Sequence, residues 1–332
     1  MRTDRIFAAA FVVLVSTAIV AFSTGNTGAS FTGTTTNPGQ ILNTVNVQPP
    51  ASQNAAVSVS AGTVNLSWTA TPTAPNGHTI TYLVLRNGTQ IGTTGSLVYS
   101  DTPPADGTYS YTIQTKIAQG AGFFTSGNSA AQNGISDRTA PTASITCAGG
   151  VCGAGWYTAV PTVVITGADG GSGVSTVTRN VDAGGNVAGA SPMTIPTLGQ
   201  GTHTVAYFAT DVAGNSNGMT TQTIKIDSVA PSAAALATAV GASNGDVKLT
   251  WTQGADATSG VATFDTYDKA VANSGSACGT TGFTLVSSGL GAGTTTATIN
   301  VGHNSWACFY VVTHDAAGNT TQSNISGPTQ GK

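Results

Sequence analysis

Apolar and polar residues alternate along many short stretches of this chain, which is the pattern of half-buried β-strands. In the clearest example, Val64, Leu66 and Trp68 fall on one face of a five-residue stretch. Turns rich in Gly, Asn, Asp and Pro separate these stretches. The predicted strands are 64–68, 78–86, 108–116, 161–166, 174–182, 202–210, 247–251 and 306–313. The pattern predicts an all-β protein.

Three landmarks occur twice in the same order, which indicates a repeated module. They are Asp-x-x-Ala-Pro, then Asp-x-x-Ser-Gly-Val, then Asp-x-Ala-Gly-Asn. They begin at Asp137, Asp169 and Asp211 in one copy and at Asp227, Asp256 and Asp315 in the other. The last landmark lies between two strand patterns, so we expect it to form a hairpin turn in which glycine takes a positive φ.

Composition excludes several classes of protein. Only 7% of the 332 residues are charged, and glutamate is absent, whereas an ordinary soluble domain has about 25% charged residues. Helix surfaces are normally built from Glu, Lys, Gln and Arg, so amphipathic helices are not expected. A net charge of -3 with scattered Lys and Arg gives no electrostatic footprint for nucleic acid. We therefore expect no nucleic-acid partner.

The first 54 residues differ from the rest of the chain. Arg2 and Arg5 precede an uncharged stretch over residues 6–22, which predicts that residues 1–23 are a signal peptide or an uncleaved membrane anchor. Residues 24–54 are rich in Gly, Thr, Asn and Pro and are interpreted as a linker. Residues 24–39 resemble the region that follows the signal in Gram-positive, especially actinobacterial, surface proteins. Membrane contact is expected only through the N-terminal segment, if it stays uncleaved.

Two segments resemble fibronectin type III domains. In residues 55–135, Trp68 lies on the second strand and Tyr109 and Tyr111 on the penultimate one. In residues 229–327, residues 247–251 repeat the pattern of 64–68, and residues 306–313 form the penultimate strand, with Trp306, Cys308, Tyr310 and Val312 on one face. The resemblance implies two-sheet sandwiches, and it implies that the Tyr109 hydroxyl bonds back across a corner.

Residues 137–228 contain Ala-Pro, Gly-Trp-Tyr-Thr, Asp-Gly-Gly-Ser-Gly-Val and Asp-x-Ala-Gly-Asn in that order. This set resembles the bacterial immunoglobulin-like domains of exported proteins. The complete expectation is an all-β fold with three tandem immunoglobulin-like or fibronectin type III-like β-sandwiches behind an N-terminal signal or anchor helix.

The four cysteines form two local pairs, Cys147 with Cys152 and Cys278 with Cys308. In an exported protein such pairs are expected to form disulfides, and two of the three small sandwiches would gain a covalent staple. Zinc is not expected, because there is only one close cysteine pair.

Calcium is the sharpest hypothesis for a bound ligand, and no other cofactor is expected. Loops that offer Asp, Asn and backbone carbonyl oxygens suit Ca²⁺. In a sandwich, the loops that carry Asp169 and Asp211 are expected to share one end, as are those that carry Asp256 and Asp315. The module-linking Asp137 and Asp227 would add ligands. The competing interpretation is that these side chains cap their own turns without a metal.

No catalytic constellation is found, so an enzyme is not expected. Gly-x-Ser-x-Gly occurs around Ser216 and Ser243, but neither match lies between a strand and a helix as a hydrolase requires. Asp265 and Asp268 are oddly spaced, which sends them to opposite faces of a strand. His78, His203, His303 and His314 follow no metal-ligand spacing and are expected at the surface or rim.

The favoured function is a non-catalytic, secreted or cell-surface binding and spacer protein, as the resemblance to adhesin stalks implies. Its partner would be an extracellular protein or a polysaccharide. The alternative is a carbohydrate-binding accessory protein associated with extracellular polysaccharide degradation, for which exposed Trp156 and Tyr157 would start an aromatic platform.

Overall fold

The computed structural model describes residues 58–71, 79–119, 122–237 and 239–332. These residues form β-strands joined by turns, with a single three-residue 3-10 turn at Ser243–Gly245 in the described part. The all-β prediction is confirmed. Among the described residues, no helix has the length and apolar character needed to cross a membrane. The expected signal or anchor, the linker and His78 lie outside the described residues.

The chain divides into two compact units. The first contains the first sandwich, up to residue 141, together with residues 168–175 and 210–216. The second contains residues 142–167, 176–209 and 217–332, and thus most of the second sandwich and all of the third.

Two sheets form the first sandwich. Its strands are β1 (Ser58–Ser60), β2 (Thr63–Ser67), β3 (Ile80–Arg86), β4 (Thr89–Thr94), β5 (Val98–Asp101), β6 (Gly107–Gln119), β7 (Gly122–Thr125) and β8 (Gln132–Ser136). One sheet has the order β1-β2-β5, and the other has the order β4-β3-β6-β7 with β8 also paired to β6. The core between them contains Val64, Leu66, Trp68, Tyr82, Val84, Tyr111 and Ile113. Val64 and Leu66 therefore form the inward face of β2, and Trp68 lies directly after its end.

Two local features of this sandwich follow the sequence prediction. The β3–β4 hairpin turns at Asn87 and Gly88, with φ values of 49° and 78°, because Asn and Gly accept the left-handed region. The Tyr109 hydroxyl donates to the carbonyl oxygen of Ala105 at 3.0 Å. This is the corner bond that the fibronectin type III resemblance implied.

The second sandwich also has two sheets. Its strands are β9 (Thr142–Cys147), β10 (Gly150–Val151), β11 (Trp156–Tyr157), β12 (Val163–Ala168), β13 (Val174–Val181), β14 (Val187–Gly189), β15 (Met193–Thr194), β16 (Gly201–Asp211) and β17 (Thr220–Ile226). The sheet orders are β10-β9-β12-β15 and β11-β17-β16-β13-β14. Buried Ile165, Val205, Ile224 and Ile226 account for the apolar alternation of their strands.

The third sandwich repeats this plan. Its strands are β18 (Ala235–Leu236), β19 (Val240–Gly241), β20 (Asp246–Thr252), β21 (Val261–Val271), β22 (Thr284–Gly291), β23 (Thr296–Asn300), β24 (Trp306–Asp315), β25 (Thr320–Gln322) and β26 (Ser326–Gln330). One sheet contains β18, β19, β20 and β23, and the other has the order β22-β21-β24-β25 with β26 on β24. Its core includes Val247, Leu249, Trp251, Phe264, Phe309 and Val311.

The two faces of β24 have different roles. Trp306, Cys308, Tyr310 and Val312 share one face, as alternation predicts. The other face supplies Ala307, Phe309 and Val311 to the core. The face that carries Cys308 is therefore the outer face of this sheet.

Both disulfides are present, and together they use all four cysteines. Cys147 and Cys152 close the β9–β10 hairpin with a Cα–Cα distance of 4.8 Å. Cys278 joins a loop to Cys308 on the outer face of β24, with a Cα–Cα distance of 5.7 Å. Neither bond links the two sheets of a sandwich, so the expected covalent staples are local clamps on a hairpin and on a loop.

Candidate metal centres

Three carboxylates of the first unit converge at one point. Each of Asp137, Asp169 and Asp211 offers an oxygen, and these oxygens all lie within 4.8 Å of one another. Asp137 and Asp211 are only 1% and 2% exposed, while Asp169 is half-buried. We call this set the first carboxylate cluster.

The second unit contains an equivalent set. Asp227, Asp256 and Asp315 also place one oxygen each within 4.8 Å of the others. Asp227 and Asp315 are 0% and 3% exposed, and Asp256 is half-buried. We call this set the second carboxylate cluster.

The ends of strands bring these side chains together. Asp137 and Asp227 directly follow β8 and β17, which are the last strands of the first and second sandwiches. Asp211 and Asp315 are the final residues of β16 and β24, and each begins the turn of a hairpin. Gly214 and Gly318 in these turns have φ values of 88° and 97°, as the sequence predicts. The landmarks found in the sequence are therefore parts of one repeated site.

Main-chain amides bind the carboxylates of the first cluster. Asp137 accepts from the amides of Thr139 and Ser172 at 3.0 and 2.6 Å. Asp169 accepts through Oδ2 from the amides of its own loop at Gly171 and Gly173.

Asn215 completes this first network. Its amide donates to Asp211 Oδ1, and its side-chain Nδ2 donates both to Asp211 Oδ2 at 2.8 Å and to the carbonyl oxygen of Asp137 at 3.1 Å. The side chain of Asn215 thereby binds the segment that follows β8.

The second cluster repeats the main bonds of this network. Asp227 accepts from the amides of Val229 and Ser259 at 3.1 Å each. Asn319 donates through its amide to Asp315 Oδ1, and through Nδ2 to Asp315 Oδ2 and to the carbonyl oxygen of Asp227, both at 2.9 Å.

Each turn is also braced by a serine. Ser172 Oγ accepts from the amide of Ala213, and Ser259 Oγ accepts from the amide of Ala317. Corresponding side chains therefore make corresponding hydrogen bonds in the two clusters, although they lie some ninety to a hundred residues apart in the sequence.

The electrostatics of the clusters favour a cation. Two unit charges about 4 Å apart repel by about 4 kcal/mol at an effective dielectric of about 20. Among the described residues, no Lys or Arg forms an ion pair with any of the six carboxylates. Although burial opposes ionisation, the hydrogen bonds from Ser172 and Thr139 hold the pKa of Asp137 below its ordinary value. A set of three such oxygens has the hard-ligand chemistry that suits Ca²⁺.

The described histidines form no shared site. His203 Nδ1 lies 2.7 Å from Asp182 Oδ2, and His314 Nε2 lies 2.9 Å from Asp265 Oδ2. His303 is exposed. These two His–Asp pairs were not predicted, because the partners are far apart in sequence and meet only across strands.

The other candidate catalytic residues also stay apart. Asp265 bonds to His314, whereas Asp268 accepts from the hydroxyl of Thr284. Ser216 lies in the β16–β17 hairpin, bridged to Thr210, and Ser243 lies in the 3-10 turn. Neither serine stands between a strand and an α-helix.

Trp156 and Tyr157 form the short strand β11, which runs parallel to β17 beside Lys225 and Ile226. Both aromatic side chains are half-buried. The Tyr157 hydroxyl accepts a hydrogen bond from the amide of Gly153 at 2.8 Å. The pair is thus part of the sheet edge.

Sequence reasoning missed the roles of Asn215, Asn319, Ser172 and Ser259. A signal was available, because each Asn and each Ser recurs at the same position of a landmark as the aspartates do. Their bonds to the carboxylates depend on loops that only the fold brings together.

The solved structures that are similar to this chain have low sequence identity to it. No protein-family model matches it, and none of the curated proteins searched matches it. The fibronectin(III)-like modules of CbhA from Clostridium thermocellum are 16% identical, with 52% of this chain and 92% of that chain covered and a TM-score of 0.30. A structure of titin domains is 15% identical, with 86% and 97% covered and a TM-score of 0.37. The three N-terminal domains of the outer capsid protein Hoc of bacteriophage RB49 are 10% identical, with 84% and 96% covered and a TM-score of 0.37. The likeness concerns the fold alone.

Proposed function

We propose that this protein is a non-catalytic, secreted or cell-surface spacer of tandem β-sandwiches that presents a binding surface to an extracellular protein or polysaccharide. The organisation into modules at residues 55–135, 137–228 and 229–327 is part of the proposal. The observation that carries it is the repeated tie: in each unit, an asparagine donates to the carbonyl oxygen of an aspartate that directly follows the last strand of a sandwich.

A spacer must keep its modules at a fixed separation. A segment held by hydrogen bonds does this better than a flexible linker. Asp227 leaves β17 and is held at once by Ser259 and Asn319, which belong to loops of the third sandwich. These bonds restrict the segment between two sandwiches of the second unit. Asp227 and Asp315, which bond to Asn319, are almost fully buried, and buried hydrogen bonds are costly to leave unmade.

An extracellular location agrees with the chemistry of the cysteines. Both pairs are oxidised, and disulfides persist mainly outside the cytosol. We further propose export by a Gram-positive, actinobacterial cell, on the resemblance of residues 24–39. N-terminal sequencing of the exported protein distinguishes a cleaved signal peptide from a retained anchor.

The spacer proposal is tested by measuring distances within the second unit. Spectroscopic labels at the exposed positions Val187 and Val286 report on the second and third sandwiches. We expect a narrow distance distribution in the native chain and a broader one in Asn319→Ala. The exposed Asn186→Ala is the matched control. An equally broad distribution in the native chain would count against a spacer.

We also propose that the two carboxylate clusters bind Ca²⁺. The observation in favour is that three carboxylates converge twice in one chain, with corresponding serine amides and asparagine side chains bonded to them. Ca²⁺ would be held by the Asp oxygens and would neutralise their mutual repulsion. A ligand that binds only the folded state raises stability by mass action. The absence of any rise in the thermal midpoint at millimolar calcium would refute this proposal, and magnesium serves as the control ion.

The alternative carbohydrate-binding role has less support, because Trp156 and Tyr157 are half-buried. A polysaccharide pull-down with the native chain and with Trp156→Ala tests it. Retention that is lost in the variant would favour the alternative over the spacer proposal.

A further inference from the structure

The loop between β21 and β22, residues 272–283, crosses the outer face of the third sandwich. β22 lies on one side of β21 and β24 on the other. The loop nevertheless reaches β24, because Cys278 is bonded to Cys308 there. It must therefore pass over β21. We call residues 272–283 the strap.

The strap is attached at further points that lie on the same face. Lys269 of β21 donates through Nζ to the carbonyl oxygen of Cys278 at 2.8 Å. The ring of Phe283 at the end of the strap lies 4.7 Å from the ring of Tyr310, centroid to centroid. Lys269 Nζ lies 5.8 Å from the centroid of the Phe283 ring.

Aromatic surface lies under and beside the strap. Tyr267 and Tyr310 pair across β21 and β24, and their rings stack at 4.7 Å with an angle of 18° between their planes. Burial raises the pKa of the Tyr310 phenol, as expected for a side chain that is partly covered. The strap thus covers an aromatic cluster that is separate from the core.

The disulfide and the core lie on opposite faces of β24. Phe309 and Val311 fill the space between the sheets, whereas Cys308 and Tyr310 point outward. Breaking the bond between Cys278 and Cys308 removes no core contact and no bond between the sheets.

We propose that the strap is a redox-controlled cover, which closes over Tyr267 and Tyr310 while the disulfide is intact and opens when an external dithiol reduces it. Cys278 is half-buried and Cys308 is fully buried, so the thiolate of the dithiol attacks Cys278 Sγ. The S–S bond breaks, Cys308 leaves as a thiolate and takes up a proton, and a mixed disulfide forms at Cys278. The second thiol of the reductant then closes its own disulfide and releases Cys278, which takes up the other proton. The dithiol loses two electrons and the protein disulfide gains them.

The test uses amide hydrogen exchange of the intact chain, oxidised and after reduction with dithiothreitol. Cys147→Ser with Cys152→Ser provides a background that holds only the strap disulfide. We expect exchange in residues 272–283 to rise by about tenfold or more on reduction, while peptides from β20 and β24 keep their protection. Alkylation then marks Cys278 and Cys308 in the reduced state.

Two outcomes would overturn the proposal. Unchanged exchange in the strap, with both cysteines alkylated, would mean that Lys269 and Phe283 hold it closed alone. An equal rise in β20 would mean that the disulfide supports the whole sandwich. The disulfide is removed by reducing the folded protein and not by substituting Cys278 and Cys308. The result therefore does not depend on whether a variant without these cysteines folds.

Discussion

The side-chain amide of Asn319 donates to the main-chain carbonyl oxygen of Asp227 at 2.9 Å, across ninety-two positions of the sequence. The same nitrogen also donates to Asp315 Oδ2. Asn319→Ala leaves two acceptors without this donor, and we expect it to lower the free energy of unfolding by about 1–3 kcal/mol. Urea unfolding measures the change.

Asn186→Ala is the control for that experiment, because Asn186 makes an exposed bond to Asn180. We expect a change within about 0.5 kcal/mol there. Asn215→Ala should behave like Asn319→Ala, since Asn215 makes the equivalent bond to Asp137. Equal effects of Asn319→Ala and Asn186→Ala would contradict the role assigned to the tie.

Asp256→Asn separates metal binding from turn capping. Oδ1 of Asp256 accepts from the amides of Thr258, Ser259 and Gly260, and the amide oxygen of Asn can still accept these bonds. The substitution removes the charge and replaces the other carboxylate oxygen by an NH2 group, which cannot bind a cation. We therefore expect the turn to remain and the calcium-induced stabilisation at that cluster to decrease. For scale, one site at a calcium concentration about 100-fold above Kd contributes about 2.7 kcal/mol.

Calorimetry in calcium and in chelator measures that difference, and Asp169→Asn provides the same test at the first cluster. If Asp256→Asn and the native chain gain the same stability from calcium, the second cluster is not the binding site. If Asp256→Asn is less stable than the native chain in chelator, where no calcium is bound, then capping of the turn needs the charge.

Two buried hydroxyl groups in the third sandwich lead to the prediction that their removal increases stability. Thr266 and Thr313 are 0% exposed, and neither Oγ1 has a hydrogen-bond partner among the described residues. Replacing either by Val keeps the shape and removes a buried polar atom, so we expect a gain of about 1 kcal/mol. Thermal and urea unfolding of Thr266→Val and Thr313→Val measure it.

Thr115→Val is the matched control in the first sandwich. Thr115 is equally buried, but its Oγ1 bonds to that of Thr71 at 2.8 Å. We expect this substitution to destabilise by about 1 kcal/mol. Destabilisation of all three variants would show that Thr266 and Thr313 are satisfied in solution.

Asp182 gives a prediction about pH. Its hydrogen bond with His203, reinforced by the amide of Thr204, lowers the pKa of the carboxyl below its ordinary value. A lowered pKa stabilises the fold above the unfolded value of about 3.9, and this stability is lost as pH falls through the folded pKa. The side chain of Asp182 is 46% exposed, so its contribution is roughly 0.5 kcal/mol.

His203→Gln removes the main cause of that shift. We expect an NMR titration to show the pKa of Asp182 rising towards its ordinary value in the variant. The pKa of Asp106, which bonding to Arg138 lowers, should not change and serves as the control. An unchanged titration of Asp182 would assign the effect to Thr204.

The sequence predicts most of the architecture because two of its signals, strand alternation and turn residues, are local. Alternation at Val64, Leu66 and Trp68 identifies an inward face without knowledge of the partner strand. The turn at Asn87 and Gly88 likewise depends only on adjacent residues. In β24 the same alternation groups residues correctly but does not say which face is inward, since both faces carry large apolar side chains.

The site is predictable in part for a similar reason. Repetition identifies all six aspartates, and the fold brings them together as two sets of three. Asn215 and Asn319 also donate to main-chain oxygens, and a main-chain acceptor cannot be recognised from a residue type. Sequence reasoning also does not predict the strap or the pair of His203 with Asp182, because each depends on which distant residues the fold brings together.

The two carboxylate clusters should differ in mutational tolerance at a single loop position. A Cβ on Gly171 would overlap the carboxylate of Asp137, whereas Thr258 occupies the same position in the other copy of this landmark. A saturation library at Gly171 should therefore retain almost only glycine among folded clones, while one at Thr258 should retain many residues. A loop transplanted from the third sandwich into the second would bring Thr258 against the carboxylate of Asp137, although the aspartate and the serine of the two loops correspond.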